Sequence, residues 1–159
     1  MAKKIEKTNV MRILEQKKIT YREYTYDCEE ALSGMEVAAS LSQDPNQVFK
    51  TLVTVGASKN NYVFVVPVNM ELNLKKAAKA VGEKNIEMIK SKELLSLTGY
   101  IHGGCSPIGM KKQFTTTIHE TAQSFDSIIF SGGKIGYQVQ VSIDDLHKIV
   151  PFTLADIAE

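Results

Sequence analysis

Three short stretches carry residue types that can do chemistry on an ester or a phosphate. Gly99 to Lys112 reads Gly-Tyr-Ile-His-Gly-Gly-Cys-Ser-Pro-Ile-Gly-Met-Lys-Lys and holds four of the ten glycines, Gly99, Gly103, Gly104 and Gly109. Glycine lets the backbone approach a ligand closely, and Pro107 biases Ser106 toward an extended conformation. Such a loop can converge its amide N–H groups on an anionic or carbonyl oxygen, or it is a tight turn between two elements. Lys50 stands in Val48-Phe49-Lys50-Thr51-Leu52-Val53, a strand pattern otherwise apolar or β-branched. If Phe49, Thr51 and Val53 face one way, Lys50 and Leu52 face the other. A lysine there needs an anion, a carbonyl or a pocket, unless it guards a sheet edge or extends its charge to the surface. Ser131-Gly132-Gly133-Lys134 is a hairpin turn or a pocket wall with the serine hydroxyl presented at a strand end. Taken together, a cation, amide donors and a hydroxyl suit a site for an ester.

Other chemistries lack their patterns. His102, His119 and His147 are scattered with no ligand spacing for zinc. Neither a phosphate-binding P-loop nor GxGxxG occurs, Ser106 is outside any GxSxG elbow, and no carboxylate pair suggests itself. No metal and no cofactor is called for. Cys28 and Cys105 form neither a metal spacing nor CxxC, which suits a reduced, cytoplasmic protein. Cys105 reads as a packed residue rather than a nucleophile, although His102 nearby keeps a reactive thiol in view. A net charge of +1 puts any nucleic-acid contact on a local patch. No apolar run reaches membrane-spanning length, and the start lacks a signal-peptide pattern.

The elements that must position these stretches mix helix and strand. Asn9 to Lys17 has helical spacing with Thr8 as N-cap, and Tyr21 to Tyr26 reads as a strand. Ser33-Gly34-Met35-Glu36 is a capping box for a helix through Leu41. Asp44-Pro45 starts a single helical turn ending near Val48. Phe49 to Val55 and Tyr62 to Val68 form a hairpin around the polar segment 56–61. Asn73 caps a basic helix, Leu74 to Val81, closed by Gly82. Ile86 to Ile89 is a short strand, and Ser91 caps Lys92 to Leu97 before Gly99. Phe114 to Ile118, Ser127 to Ser131 and Gly136 to Val141 read as strands. Ser142 opens a last helix through Val150, and Thr153 to Ala158 reads as one or two helical turns. The fold class is α+β in one domain, residues 1–159, with a mostly antiparallel or mixed sheet curling toward a barrel.

The set Val48-Phe49-Lys50-Thr51-Leu52, Leu74-Lys75-Lys76-Ala77-Ala78-Lys79-Ala80, Thr98-Gly99-Tyr100 into Gly103-Gly104-Cys105-Ser106-Pro107-Ile108-Gly109, and Ser131-Gly132-Gly133-Lys134 resembles the YbaK/EbsC family. These are free-standing relatives of the prolyl-tRNA synthetase editing domain. The similarity runs from about Asn9 to Ala158 and looks closest to the Cys-tRNA(Pro) deacylase branch. It implies a curved, barrel-like mixed β-sheet flanked by helices, and hydrolytic release of cysteine wrongly attached to proline tRNA. By resemblance the essential lysine falls on Lys50, with Thr51 beside it. The loop residue falls on Gly103, with Gly104, Ser106 and Pro107 as substrate contacts. Ser131 and Tyr26 line the aminoacyl pocket. An aromatic pocket position is replaced by Leu32 or Ser33, and a site aspartate by Gln138. The resemblance also implies a substrate-assisted reaction, in which the substrate's cysteine thiolate attacks its own ester to give a cyclic thiolactone.

The tRNA must also be held. Lys75, Lys76 and Lys79 on one helix, with Lys111 and Lys112 after the central loop, form candidate phosphate contacts or ordinary solvated faces. RNA affinity from these alone is expected to be weak. The implied partners are mischarged tRNA(Pro) and, transiently, prolyl-tRNA synthetase, with neither DNA nor a membrane. Two rival readings are a deacylase for Ala-tRNA(Pro) or a broader substrate range, and a non-catalytic module that binds aminoacyl ends or a synthetase.

Overall fold

The computed structural model describes residues 7–27 and 32–159, so Cys28 lies outside the described residues. The elements run α1 (Asn9–Gln16), β1 (Arg22–Thr25), α2 (Gly34–Ser40), β2 (Phe49–Gly56), β3 (Asn61–Pro67), α3 (Leu74–Val81), β4 (Ile86–Met88), α4 (Ser91–Thr98), β5 (Thr115–His119), β6 (Ser127–Ser131), β7 (Tyr137–Ser142), α5 (Ile143–Ile149) and β8 (Phe152–Ala155). The capping residues act as their types dictate. Thr8, Asn73 and Ser142 accept backbone N–H groups of the first turns of α1, α3 and α5. Ser33 and Glu36 close the reciprocal capping box of α2. Gly82 and Gly99 end α3 and α4 in the left-handed region, at φ 74° and 87°.

The strands form two sheets rather than one curling sheet. One has the order β1-β7-β6 and is antiparallel; the other has the order β4-β2-β3-β5-β8. In the second, β4, β2 and β3 pair antiparallel while β3–β5 and β5–β8 are parallel. The sheets meet at the start of β2, where Val48 bridges Ile129 and the Ile129 N–H donates to Gln47 O at 3.0 Å. That seam is one bridge long, so among the described residues no barrel closes. The α+β class stands, with two sheets in place of the one mixed sheet expected.

The five-stranded sheet is covered on both faces, which is why β3 reads as a continuous apolar run. Val63 and Val65 enter the main core with Met11, Leu14, Phe130 and Val139. Phe64 and Val66 enter a second core with Ala77, Ala78, Ile86 and Ile157. Each fully buried Val, Leu, Ile, Phe or Met side chain among these contributes about 1.5–3 kcal/mol relative to exposure.

Three further expectations change, and one element is new. Residues 153–158 carry Leu154, Ile157 and Ala158 at helical spacing, yet β8 pairs with β5 and residues 156–159 form no helix, with Ala158 bridging Leu72. The open edge of β5 supplied a partner that local periodicity could not reveal. Asp44-Pro45 makes a turn, with the Asp44 carboxylate accepting the Asn46 N–H, and no helix. The N-cap of α4 is Lys90 with no side-chain cap, and Ser91 is the first helical residue. A 3-10 turn, Glu120–Ser124, follows β5 unforeseen.

The buried His119 fastens the 156–159 segment: its Nδ1 accepts the Ile157 N–H at 3.2 Å, which requires an unprotonated nitrogen. Burial pushes the imidazole below its ordinary value of 6.5, while Asp156 and Glu120 pull it back up. The unfolded chain then takes up a proton on this residue before the folded one does, so stability rises with pH through that window. His119 therefore contributes stability that is present above about pH 6.5 and lost on acidification toward the lower folded value. Urea unfolding from about pH 5 to about pH 7.5 is expected to show a midpoint rising with pH. The rise should be shallower in His119→Gln; an identical slope would remove His119 from the linkage.

Candidate active site

A cavity of about 490 Å³ lies between α2, β2, β4, α4, the 99–112 loop and the ends of β6 and β7, within the size range of small-molecule sites. Its wall gathers Tyr26, Lys50, Thr51, Gly103 and Ser131, residues from four separate segments. Leu32, Ser33 and Gln138, the positions where the pattern departs from its relatives, are on the wall as well.

Strand alternation sets the faces of β2. Phe49 and Val53 enter the main core, and Leu52 packs on the second. Lys50 shares the side of Leu52, and its ammonium meets a carboxylate, Glu71 Oε1, at 3.4 Å. Thr51 carries a buried hydroxyl with no partner among the described residues. Such a group is costly unless a bound polar atom or water satisfies it.

Two glycine turns press together to build the far wall. A Cβ on Gly104 would stand 3.1 Å from Ile135 N and 3.2 Å from Lys134 Cα. One on Gly133 would stand 2.9 Å from Val10 Cγ2 and 3.2 Å from Tyr100 Cε1. The loop is further closed by Tyr100, whose hydroxyl donates to Ile108 O, and by the Lys111 N–H donating to Thr98 O at 3.0 Å. Gly103 is exposed at φ 88°, a conformation that favours glycine. Its N–H has no partner among the described residues. The Ser131 hydroxyl accepts the Gly133 N–H at 3.1 Å, which leaves its own proton to donate. Gln138 is buried, and its Oε1 accepts from Gln43 Nε2 at 2.8 Å, so a neutral amide pair stands at that end of the cavity.

The other expected contacts lie elsewhere. Ser106 is fully buried with its hydroxyl accepting the Ile108 N–H, and Pro107 is buried beside it. Gly104 is spent on the contact with the 131–135 turn. None of the three lines the cavity. Nor do Lys75, Lys76, Lys79, Lys111 or Lys112. Lys76 is held by Asp156 at 3.0 Å and by Ala158 O, and Lys112 lies 5.9 Å over the Phe114 ring.

Sequence reasoning passed over the apolar wall. Leu94 and Met88 line the cavity, but short apolar positions on β4 and α4 carry no chemical signal. Five large apolar side chains are exposed among the described residues: Met35, Leu74, Met88, Leu95 and Ile101. Met88 is on the wall, Ile101 adjoins the wall residue His102, and Leu95 lies one helical turn from the wall residue Ser91. Met88 therefore gives the cavity an exposed apolar edge.

The chain belongs to the aminoacyl-tRNA editing domain family, whose model matches residues 28–149. It is 48% identical over 160 residues, 99% of this chain and 98% of the relative, to an Enterococcus faecalis protein with the provisional name Cys-tRNA(Pro)/Cys-tRNA(Cys) deacylase EbsC. Two solved structures share the fold. One, described as a candidate trans-editing enzyme for prolyl tRNA synthetase, has a TM-score of 0.79 at 23% identity, covering 94% of this chain and 96% of that one. The other, the hypothetical protein APE2540, has a TM-score of 0.85 at 21% identity, covering 94% and 99%.

Cys105 lines this cavity too, but burial pushes its thiol up to about 12. At neutral pH it is held almost wholly as the unreactive neutral form. Alkylation with iodoacetamide at about pH 8, read on the Cys105 peptide by mass spectrometry, should be slow in the folded protein and fast in denaturant. Equal rates would contradict the burial argument.

Proposed function

We propose that the chain is a trans-editing deacylase that clears Cys-tRNA(Pro). The observation that carries this reading is the convergence of Tyr26, Lys50, Thr51, Gly103 and Ser131 on one cavity of a chain from this family. The name of the Enterococcus faecalis relative favours cysteine as the amino acid removed.

In this mechanism the substrate supplies the nucleophile. Its thiolate attacks its own ester carbonyl carbon, a C–S bond forms, and the C–O bond to the terminal ribose breaks. The tRNA leaves with a proton on its ribose oxygen, and cysteine leaves as a cyclic thiolactone that water opens. The protein holds the ester in reactive geometry and stabilises the developing oxyanion, and both effects are large. The Lys50 ammonium lies against the carbonyl or terminal ribose, and the Gly103 N–H supplies a backbone contact. Tyr26, Thr51 and Ser131 line the aminoacyl pocket. The terminal base, next outward from the ribose, packs on the apolar edge at Met88. Prolyl-tRNA synthetase presents the mischarged tRNA, and the whole chain acts as one editing domain in the cytoplasm.

Lys50→Ala is expected to slow deacylation at least ~100-fold, the scale of one preorganised charge contact, with an unchanged circular dichroism spectrum. Wild-type turnover in that variant would remove Lys50 from the site. A second test separates substrate nucleophile from protein nucleophile. Cys105→Ala should keep most of the activity on Cys-tRNA(Pro), while Ser-tRNA(Pro) should be cleared far more slowly, since a hydroxyl yields little nucleophile at neutral pH. Equal rates on the two esters, or an inactive but folded Cys105→Ala, would point to a protein group or a bound water instead.

A further inference from the structure

Glu71 lies in the link between β3 and α3, outside the cavity wall, and nothing in the mechanism so far uses it. Its Oε1 stands 3.4 Å from Lys50 Nζ, with the two side chains 82% and 28% exposed. An ion pair this open contributes little to stability, yet the backbone beneath it is held more firmly than an exposed link needs. Glu71 and Glu159 exchange two backbone hydrogen bonds of 2.9 Å, and Leu72 bridges Ala158. The Asn73 N–H donates to Ile157 O at 2.8 Å, and its side chain both donates to Glu159 Oε2 and caps α3. The 156–159 segment is anchored in turn. Ile157 and Ala158 are buried, Ile157 is bonded to His119, and Lys76 holds Asp156 and Ala158 O. The Glu71 carboxylate thus stands on an ordered backbone within reach of a long, flexible lysine.

We infer that Glu71 is a positioning residue for Lys50, holding the ammonium where it meets the ester or terminal ribose of the substrate. An ammonium has three donors. One spent on Glu71 leaves two for substrate oxygens and removes much of the rotamer freedom that lysine would otherwise lose on binding. The substrate half of this inference rests on the editing reading above; the restraint on Lys50 does not.

A double-mutant cycle on Cys-tRNA(Pro) deacylation tests it. Glu71→Gln is expected to lower kcat about tenfold, with KM changed less than about twofold and the melting temperature unaltered. Glu71→Asp should recover part of the loss. The Lys50→Ala, Glu71→Gln double variant should be no slower than Lys50→Ala alone, as for residues acting through one group. Additive losses would overturn the inference, and so would a Glu71→Gln variant as fast as wild type or faster, which would make Glu71 a competitor for the ammonium. A second measurement needs no substrate: acetylation of Lys50 by acetic anhydride, followed by peptide mass spectrometry, should be faster in Glu71→Gln. An unchanged rate would refute the restraint. If the wild-type protein leaves Cys-tRNA(Pro) intact, the editing reading fails, and the labelling rates still decide whether Glu71 holds Lys50.

Discussion

The site depends on the contact between two glycine turns that are far apart in the chain. Gly104 lies against the backbone at Lys134 and Ile135, and Gly133 lies against Val10 and Tyr100. Side chains at these positions would hold the two segments apart, because packed interiors leave no room for an added methyl group. With the turns in contact, the loop after α4 is fixed to the β6–β7 sheet and to α1 at once. Tyr100, bonded to Ile108 O, fills its interior. Gly103 and Ser131 come to one cavity as a result.

The opposite wall depends on β2, at the boundary between two cores. Phe49 and Val53 face one core and Leu52 packs on the other. Lys50 is placed on the second side near the start of the strand, half-buried, with its ammonium 3.4 Å from a carboxylate. That carboxylate stands on the β3–α3 link, which residues 156–159 brace from behind. The second core thus supports the chemistry of the first, although none of Phe64, Val66, Ile86 or Ile157 lines the cavity.

Beyond His102, the wall offers little reactive chemistry. Cys105 is held as a neutral thiol by burial. Gln43 and Gln138 present an amide pair rather than a charge. Among the described residues, the wall offers the Lys50 cation, the Gly103 backbone N–H and hydroxyls that include Ser131 and Thr51. Such a site suits a reaction whose nucleophile arrives with the substrate, because positioning and electrostatic stabilisation are then the tasks left to the protein.

The amino-acid sequence by itself determined the local features. The caps at Thr8, Ser33 and Asn73, the left-handed glycines at the ends of α3 and α4, and the β2–β3 hairpin all follow from residue types within a few positions of one another. The resemblance carried by its motifs also marked Lys50, Thr51, Gly103, Ser131 and Tyr26 as a set. Tertiary structure decided what depends on distant partners. It made 152–155 a strand because the edge of β5 was open, and it divided the strands between two sheets joined at Val48 and Ile129. It withdrew Gly104, Ser106 and Pro107 from the cavity, since their loop is packed against another turn. It engaged Lys76 with Asp156, although its spacing on α3 suits a phosphate contact equally well. And it set Glu71 against Lys50, a pairing across twenty-one positions that no local pattern encodes.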